Sequence, residues 1–443
     1  MEIKDTLNLP ETDFPMKASL TKAEPKMLEW WAREKIYEAI RESSKGREKF
    51  VFHDGPPYAN GHIHMGHALN KVLKDFIVKI MGMKGYDAGF IPGWDCHGLP
   101  IEHQVGKKLK EKKMSLEKSA IRKQCRSYAQ DFVSIQRDEF KRLGIFADWD
   151  NPYLTMDYSY ESTIVREFGK FVEKGMVYKG LKPVHWCTSC RTALAEAEVE
   201  HADHTSPSIY VKFEIKSGIP KDIGGDLGKA YMVIWTTTPW TLPANLAISL
   251  HPEFQYVAVA INDEVLIVAE ERLSSLILEW DIKDHKILGV CKGKEWETAV
   301  CQHPFINRDS KVILGDHVTL EQGTGCVHTA PGHGQDDYIV GLKYGLEPYN
   351  PVDDGGVFRN DVEHFAGMFV KKANPEIIQK LNQDGFLVHK EDIKHSYPHC
   401  WRCHQPVIFR ATNQWFISME KEDLRKNALA GIERTKWIPD WGM

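Results

Sequence analysis

His64 and His67 stand three residues apart at the end of a glycine- and proline-rich run, Asp54-Gly55-Pro56-Pro57-Tyr58-Ala59-Asn60-Gly61-His62-Ile63-His64-Met65-Gly66-His67. Glycine and proline forbid regular structure over 54–61. Beyond them Leu69, Val72, Leu73, Phe76, Ile77 and Ile80 recur at helical spacing, and Gly82 and Gly85 supply a stop. This predicts a helix with that stripe buried and both imidazoles on one side of its N-terminus. Backbone N–H groups without helical partners attract anions there, so two imidazoles beside them can grip a phosphate. Cys187-x-x-Cys190 and Cys400-x-x-Cys403 form a second group. Four thiolates on two knuckles meet the tetrahedral preference of Zn²⁺. A third group is Thr236-Thr237-Thr238, whose hydroxyls can bind a ribose or carbonyl and order a water, while a nearby carboxylate can anchor an amine. No Ser-His or Cys-His nucleophile spacing accompanies it.

The elements that must position these groups are of two kinds. Lys49–His53 and Tyr86–Ile91 read as strands on either side of the helix, giving a β-α-β unit and a parallel sheet. Neither a Walker A run nor a G-x-G-x-x-G fingerprint occurs, so ATP would have to bind at the strand ends and the helix N-terminus. Residues 118–143 and 160–174 are helical, as is an N-terminal extension over 1–48 opened by Pro25-Lys-Met-Leu-Glu-Trp-Trp-Ala. From about Ser208 the apolar period changes to two: Ile209–Ile215, Tyr231–Trp235, and Tyr256–Val268 broken at Asn262-Asp263-Glu264 as a hairpin. The gap from Cys190 to Cys400 is far longer than a zinc ribbon allows. A β-rich domain inserted between two converging knuckles accounts for it.

Length and composition bound the reading further. A chain of 443 residues holds about three domains at ~150 residues each. With 57 basic and 62 acidic residues the formal charge is −5, which excludes a wholesale polycation and leaves room for a local nucleic-acid surface. The densest basic run, Lys107, Lys108, Lys110, Lys112 and Lys113, is either such a surface or a solvated helix face. No apolar run is long enough to cross a bilayer, and the N-terminus has neither a signal-peptide nor a transit-peptide pattern. The expectation is a soluble, cytoplasmic protein that does not enter membranes. The nine cysteines then favour metal over disulfides.

The loop from Asp54 to His67 resembles the signature of class I aminoacyl-tRNA synthetases in its isoleucyl form, with His64-Met65-Gly66-His67 as the HIGH core. Gly93-Trp94-Asp95-Cys96-His97-Gly98-Leu99-Pro100-Ile101-Glu102 is similar to a second isoleucyl string, in which leucyl and valyl relatives differ at Cys96 and His97. Trp235–Asn245 and Gly323–Tyr338 resemble the editing domain of isoleucyl, valyl and leucyl synthetases. The resemblance implies an α/β fold: a Rossmann-type parallel-sheet nucleotide-binding domain with an inserted β-rich editing domain and zinc knuckles. It implies segments of 1–48 (helical extension), 49–186 (first half of the catalytic domain) and 187–207 (knuckle and stem). The editing insert would then be 208–393, and 394–443 the second knuckle with the return to the catalytic domain. The implied reaction is ATP-dependent ligation of isoleucine to its tRNA through an adenylate, with hydrolysis of mischarged Val-tRNA. By resemblance, His64 and His67 are catalytic, Asp95 holds the isoleucine ammonium, and Gly55 and Pro56 line its side-chain pocket. Thr236, Thr237, Thr238, Asn245 and His328 surround the ester to be cleaved, and Asp337 anchors its amine. Cys187, Cys190, Cys400 and Cys403 bind Zn²⁺. ATP with Mg²⁺, isoleucine and tRNA(Ile) are the implied substrates and partners of a monomer. The resemblance spans nearly all of the chain but about half of such an enzyme, so a fragment without the KMSKS loop and anticodon-binding domain is expected.

Two other readings compete. A free-standing deacylase of mischarged tRNA keeps the fold without the ligase activity. A zinc nucleobase deaminase would use His389-Lys390-Glu391 with Cys400-x-x-Cys403. That reading puts His399 where a proline belongs, and leaves Cys187 and Cys190 without purpose.

Overall fold

The computed structural model describes residues 3–8, 13, 17–112, 114, 116–223 and 227–443, in two units divided after Glu173. In the first, α1 (Leu20–Arg33) and α2 (Ile36–Ser43) precede the glycine–proline loop, and α3 (Met65–Met83) follows it. Then come β1 (Gly93–Trp94), α4 (Leu99–Glu111), α5 (Lys118–Arg142), β2 (Tyr153–Leu154) and α6 (Tyr158–Glu173). β1 and β2 pair in parallel. The strands expected at 49–53 and 86–91 are reduced to one parallel bridge, Lys49 to Asp87, and a second bridge joins Tyr58 to Asp95. The direction is as expected but the ladder is short. Pro56, Pro57 and Pro92 have no N–H to donate, which interrupts pairing beside the loops. Of the basic run, Lys107, Lys108 and Lys110 lie on α4 and Lys112 caps it, while Lys113 is outside the described residues.

α3 forms where expected but presents the opposite face. Leu69, Leu73 and Phe76 are all more than half exposed, whereas Lys71, Asp75 and Val78 are buried. Charge pairing explains this. The buried Asp54 carboxylate bonds to both Lys71 and Lys74, and Asp75 pairs with Lys79 at 2.5 Å while accepting from Phe146 N at 2.9 Å. A carboxylate out of water requires such partners, and they sit on the side of α3 away from the apolar stripe. The unit's core is built instead from Phe90, Trp94, Ile101, Val133, Phe140 and Trp149.

The second unit begins with β3 (Val177–Cys187), β4 (Thr192–Leu194) and the long β5 (Val199–Ser217). β6 (Ala230–Thr236), β7 (Ala247–Leu250), β8 (Gln255–Ile261) and β9 (Glu264–Ala269) follow. After α7 (Glu270–Glu279) come β10 (Lys286–Lys292), β11 (Val300–Gln302), β12 (Asp309–Leu314) and β13 (Val327–Thr329). α8 (Gln335–Lys343), α9 (Val370–Gln383), β14 (Leu387–Cys400), β15 (Ile408–Ile417) and α10 (Leu424–Arg434) end it. Ten strands join in the order β10-β8-β9-β6-β13-β7-β12-β11-β5-β14, and a further β6–β5 pairing closes the middle of that order on itself. The β8–β9 hairpin turns where expected, with Asn262 in the left-handed region at φ 53°.

The period-two signal has a physical origin in this sheet. Ile209, Val211, Phe213 and Ile215 of β5 enter one core with Met232, Ile234 and Ile248, while Tyr210 enters another with Val233, Val257 and Leu273. β5 then runs antiparallel to β14 as far as Val199 and Cys400, and β3 pairs with β15 and β4 in a separate sheet. These long strands carry both ends of the inserted sheet back to the two knuckles.

Candidate functional site

At the start of α3, His64 is the N-cap and His67 the third helical residue. His64 Nδ1 accepts from Gly66 N at 3.1 Å, and His67 Nδ1 accepts from His64 N at 3.3 Å. A neutral imidazole whose Nδ1 accepts must carry its proton on Nε2. The helix end therefore sets the tautomer of both rings. They stack with centroids 3.8 Å apart, and burial together with the neighbouring His64 lowers the His67 pKa. The result is two N–H donors at the positive end of a helix, an arrangement suited to the oxygens of one phosphate.

The loop ahead of them is tied to β1. Ala59 N donates to Asp95 O at 2.8 Å, and Asp95 N to Pro57 O at 2.9 Å, so Gly55 and Pro56 lie just before the Tyr58–Asp95 bridge. The Asp95 carboxylate accepts from His97 N at 3.2 Å and is half-buried. Gly93 is required beside it: a Cβ there would lie 2.0 Å from the Tyr153 ring. Tyr153 in turn donates to Asp54 O at 3.1 Å.

In the second unit the threonine triplet leaves the end of β6. Thr236 is buried, and its Oγ1 accepts from Thr238 N at 3.1 Å and lies 3.3 Å from Thr238 Oγ1. Thr237 and Thr238 border a cavity of about 380 Å³. His204, Lys371, Asn374 and Tyr397 face it as well. Asn245 and His328 stand behind the triplet. His328 Nε2 bonds Thr241 Oγ1 at 2.9 Å and its Nδ1 bonds Asn245 Nδ2 at 2.8 Å, while Thr241 donates to Thr238 O at 2.8 Å. Both nitrogens of His328 are thus engaged, and burial lowers its pKa to about 3, so the ring is a neutral brace for the loop. Asp337, in the first turn of α8, accepts from Ala330 N at 2.8 Å. Burial raises its pKa to about 6.

Cys187, Cys190, Cys400 and Cys403 converge, with all four sulfurs within 4.8 Å of one another. A Zn–S bond of about 2.3 Å implies tetrahedron edges of about 3.8 Å, so the donor set fits the ion in number, type and spacing. The knuckles match in backbone as well. Arg191 and His404, each directly after the second cysteine, adopt φ 52° and 53°. Cys187 and Cys400 are fully buried, and burial raises the Cys187 thiol to about 11. The deaminase alternative fails on this geometry. His389 and Glu391 lie on β14 well before Cys400, at the far end of on the order of 35 Å of extended strand.

The family model for class I tRNA synthetases (I, L, M and V) matches residues 26–443. The chain belongs to the class I tRNA synthetases. Within that family it is 55% identical over its whole length to the isoleucine–tRNA ligase of Syntrophotalea carbinolica and 56% to that of Geobacter sulfurreducens. It covers 48% of each, so the chain spans about half the length of the curated relatives it matches. This class I synthetase chain also holds polar groups near its candidate sites that spacing alone does not single out. Lys371 is one, facing the threonine cavity with a pKa lowered to about 8 by burial. The polar face of α5 is another. Tyr128 donates to Asn60 Oδ1 at 2.8 Å, and Glu139 accepts from Ile63 N at 2.9 Å and bonds His62 at 2.6 Å. Among the described residues no helix is long and apolar enough to cross a membrane.

Proposed function

We propose that this chain carries the isoleucine-activating and the editing chemistry of an isoleucine–tRNA ligase. In the first reaction the isoleucine carboxylate attacks the α-phosphorus of ATP, supplied with Mg²⁺, to give isoleucyl-adenylate and pyrophosphate, and the acyl group then passes to tRNA(Ile). The observation that carries this reading is the stacked His64/His67 pair, with both Nε2–H groups fixed as donors at a helix N-terminus. Charge that develops on the α-phosphate would be met by groups already oriented, the arrangement that lowers a barrier most. Asp95, tied to the same loop, would hold the substrate ammonium. Gly55 and Pro56 would shape the side-chain pocket.

The second reaction is hydrolysis of Val-tRNA at the threonine triplet. Isoleucine and valine differ by one methylene, and isoleucyl enzymes are known to separate them directly by only ~150-fold. A second pocket that admits valine and excludes isoleucine supplies the rest. Thr236, Thr237 and Thr238 would hold the ester and a water, with His328 and Asn245 fixing their loop and Asp337 receiving the ammonium. Cys187, Cys190, Cys400 and Cys403 would hold one Zn²⁺, which would supply a structural cross-link between the two knuckles. Measuring ATP–pyrophosphate exchange with isoleucine alongside deacylation of Val-tRNA and Ile-tRNA tests the proposal. Deacylation without exchange favours the free-standing deacylase. Equal hydrolysis of the two esters would refute the size sieve.

A further inference from the structure

Gln136 lies in the middle of α5 and is fully buried. Its side-chain amide is saturated on the nitrogen side: Nε2 donates to Tyr58 O at 3.1 Å and to Gly61 O at 2.8 Å. Its Oε1 accepts from the indole Nε1 of Trp94 at 3.0 Å, and Trp94 is itself buried in β1. One amide therefore joins the two segments that carry the candidate activation residues. Tyr58 and Gly61 lead into His64 and His67, while Trp94 precedes Asp95.

The two segments are also joined directly, on either side of Tyr58, through Pro57 O and Ala59 N. The backbone bonds between Pro57, Ala59 and Asp95 hold Asp95 against the start of the loop. From Asn60 onward the loop is held by the bond from Asn60 N to Tyr58 O at 2.8 Å and by Tyr128, Gln136 and Glu139 of α5. Gly61 sits at φ +75°, a conformation that only glycine adopts without strain, and the chain turns there toward His64. Gln136 grips the carbonyl of that turn.

We infer that Gln136 is a positioning residue for adenylate formation, holding the Tyr58–Gly61 turn against Trp94 so that His64 and His67 keep a fixed relation to Asp95. The inference rests on the activation reading above. It separates two effects that a general loss of stability would merge. Asp95 keeps its backbone ties when Gln136 is replaced, so isoleucine binding should persist. The histidines lose their registration, and a misplacement of about 1 Å can cost on the order of 100-fold in rate.

The test compares the complete enzyme with its Gln136→Leu variant, which keeps the volume and removes all three bonds, and with Trp94→Phe, which removes the Oε1 bond and trims the indole from the core. Hydrogen exchange read by mass spectrometry should rise at least about tenfold in peptides covering 58–64 of Gln136→Leu, with α3 and the second unit unchanged. Isoleucine-dependent pyrophosphate exchange should fall about 30-fold in kcat with KM for isoleucine within about threefold, and Trp94→Phe should fall between wild type and Gln136→Leu in both readouts. If Gln136→Leu loses protection throughout the first unit, Trp94→Phe decides, since its smaller local opening is still expected. A loop as protected in the variants as in wild type overturns the inference, as does a KM that rises in step with the loss of kcat. A complete enzyme without isoleucine-dependent exchange, whose loop nevertheless opens in both variants, supports the tie and overturns the activation reading instead.

Discussion

Asp337 offers a perturbation whose size can be worked from its surroundings. Its carboxyl is held away from water, which raises its pKa from the ordinary 3.8 to about 6, against the opposing effect of the bond from Ala330 N. An acid whose folded pKa exceeds its unfolded value binds its proton more tightly in the folded state. Between about pH 4 and 6 the native chain therefore carries more protons than the unfolded chain, and stability falls as pH rises. The contribution is fully present below the unfolded pKa and gone above the folded one. The difference between 3.8 and about 6 corresponds to about 3 kcal/mol. Asp337→Asn keeps the shape and an oxygen that can accept from Ala330 N, but cannot ionise. At pH 7.5 it should be more stable than wild type by up to about 3 kcal/mol, and the gap should close toward pH 3.5. Urea unfolding at fixed pH values, followed through the second unit, measures this directly. Parallel stability curves for the two proteins would refute the argument.

The same substitution has an opposite effect on the proposed reaction. A charged carboxylate kept in an unfavourable place is a cost recovered when a substrate ammonium arrives beside it. Asp337→Asn and Asp337→Ala should therefore both weaken rejection of valine, with hydrolysis of Val-tRNA falling although the first is the more stable protein. Val-tRNA hydrolysis by Asp337→Asn at the wild-type rate would remove Asp337 from the site while leaving its effect on stability intact.

Other outcomes are expected on the same reasoning. Elemental analysis should find about one zinc per chain, lost in Cys187→Ser or Cys400→Ser; a metal-free, well-folded preparation would sink the zinc assignment. In the complete enzyme, His64→Ala or His67→Ala should reduce adenylate formation by the ~10²-fold typical of losing one transition-state donor while Val-tRNA deacylation is retained, and an equal loss of both activities would point to misfolding. His328→Ala should reduce deacylation through a loosened Thr238 loop, and because the ring is neutral, changing pH between 6 and 8 should leave its contribution flat; a deacylation profile that follows a group titrating near 6.5 and disappears in His328→Ala would contradict the brace role.

What was legible in the sequence, and what was not, divides along physical lines. The histidine pair, the cysteine knuckles and the threonine triplet can be read because proposed chemistry constrains both residue type and short-range spacing: the histidines open α3, the four sulfurs converge, and the threonines leave the end of β6. The strand pattern of the inserted sheet was readable for a similar reason: a two-sided core leaves a local trace in every strand. The face of α3 was not readable. Its apolar stripe is real, but the helix is turned by Asp54, whose carboxylate takes Lys71 and Lys74 inward and leaves Leu69, Leu73 and Phe76 exposed. Periodicity reports that a helix has two unlike faces and carries no information on which one meets an ion pair 17 residues away in sequence. Gln136 is the sharper case. A glutamine amid charged residues on a long helix reads as surface, and its burial follows from two carbonyls more than 70 residues earlier and an indole that no local pattern connects to it. Groups proposed to touch substrate are thus found by type and spacing, whereas those that hold them in place are found only when the donors and acceptors of the loops they serve are accounted for one by one.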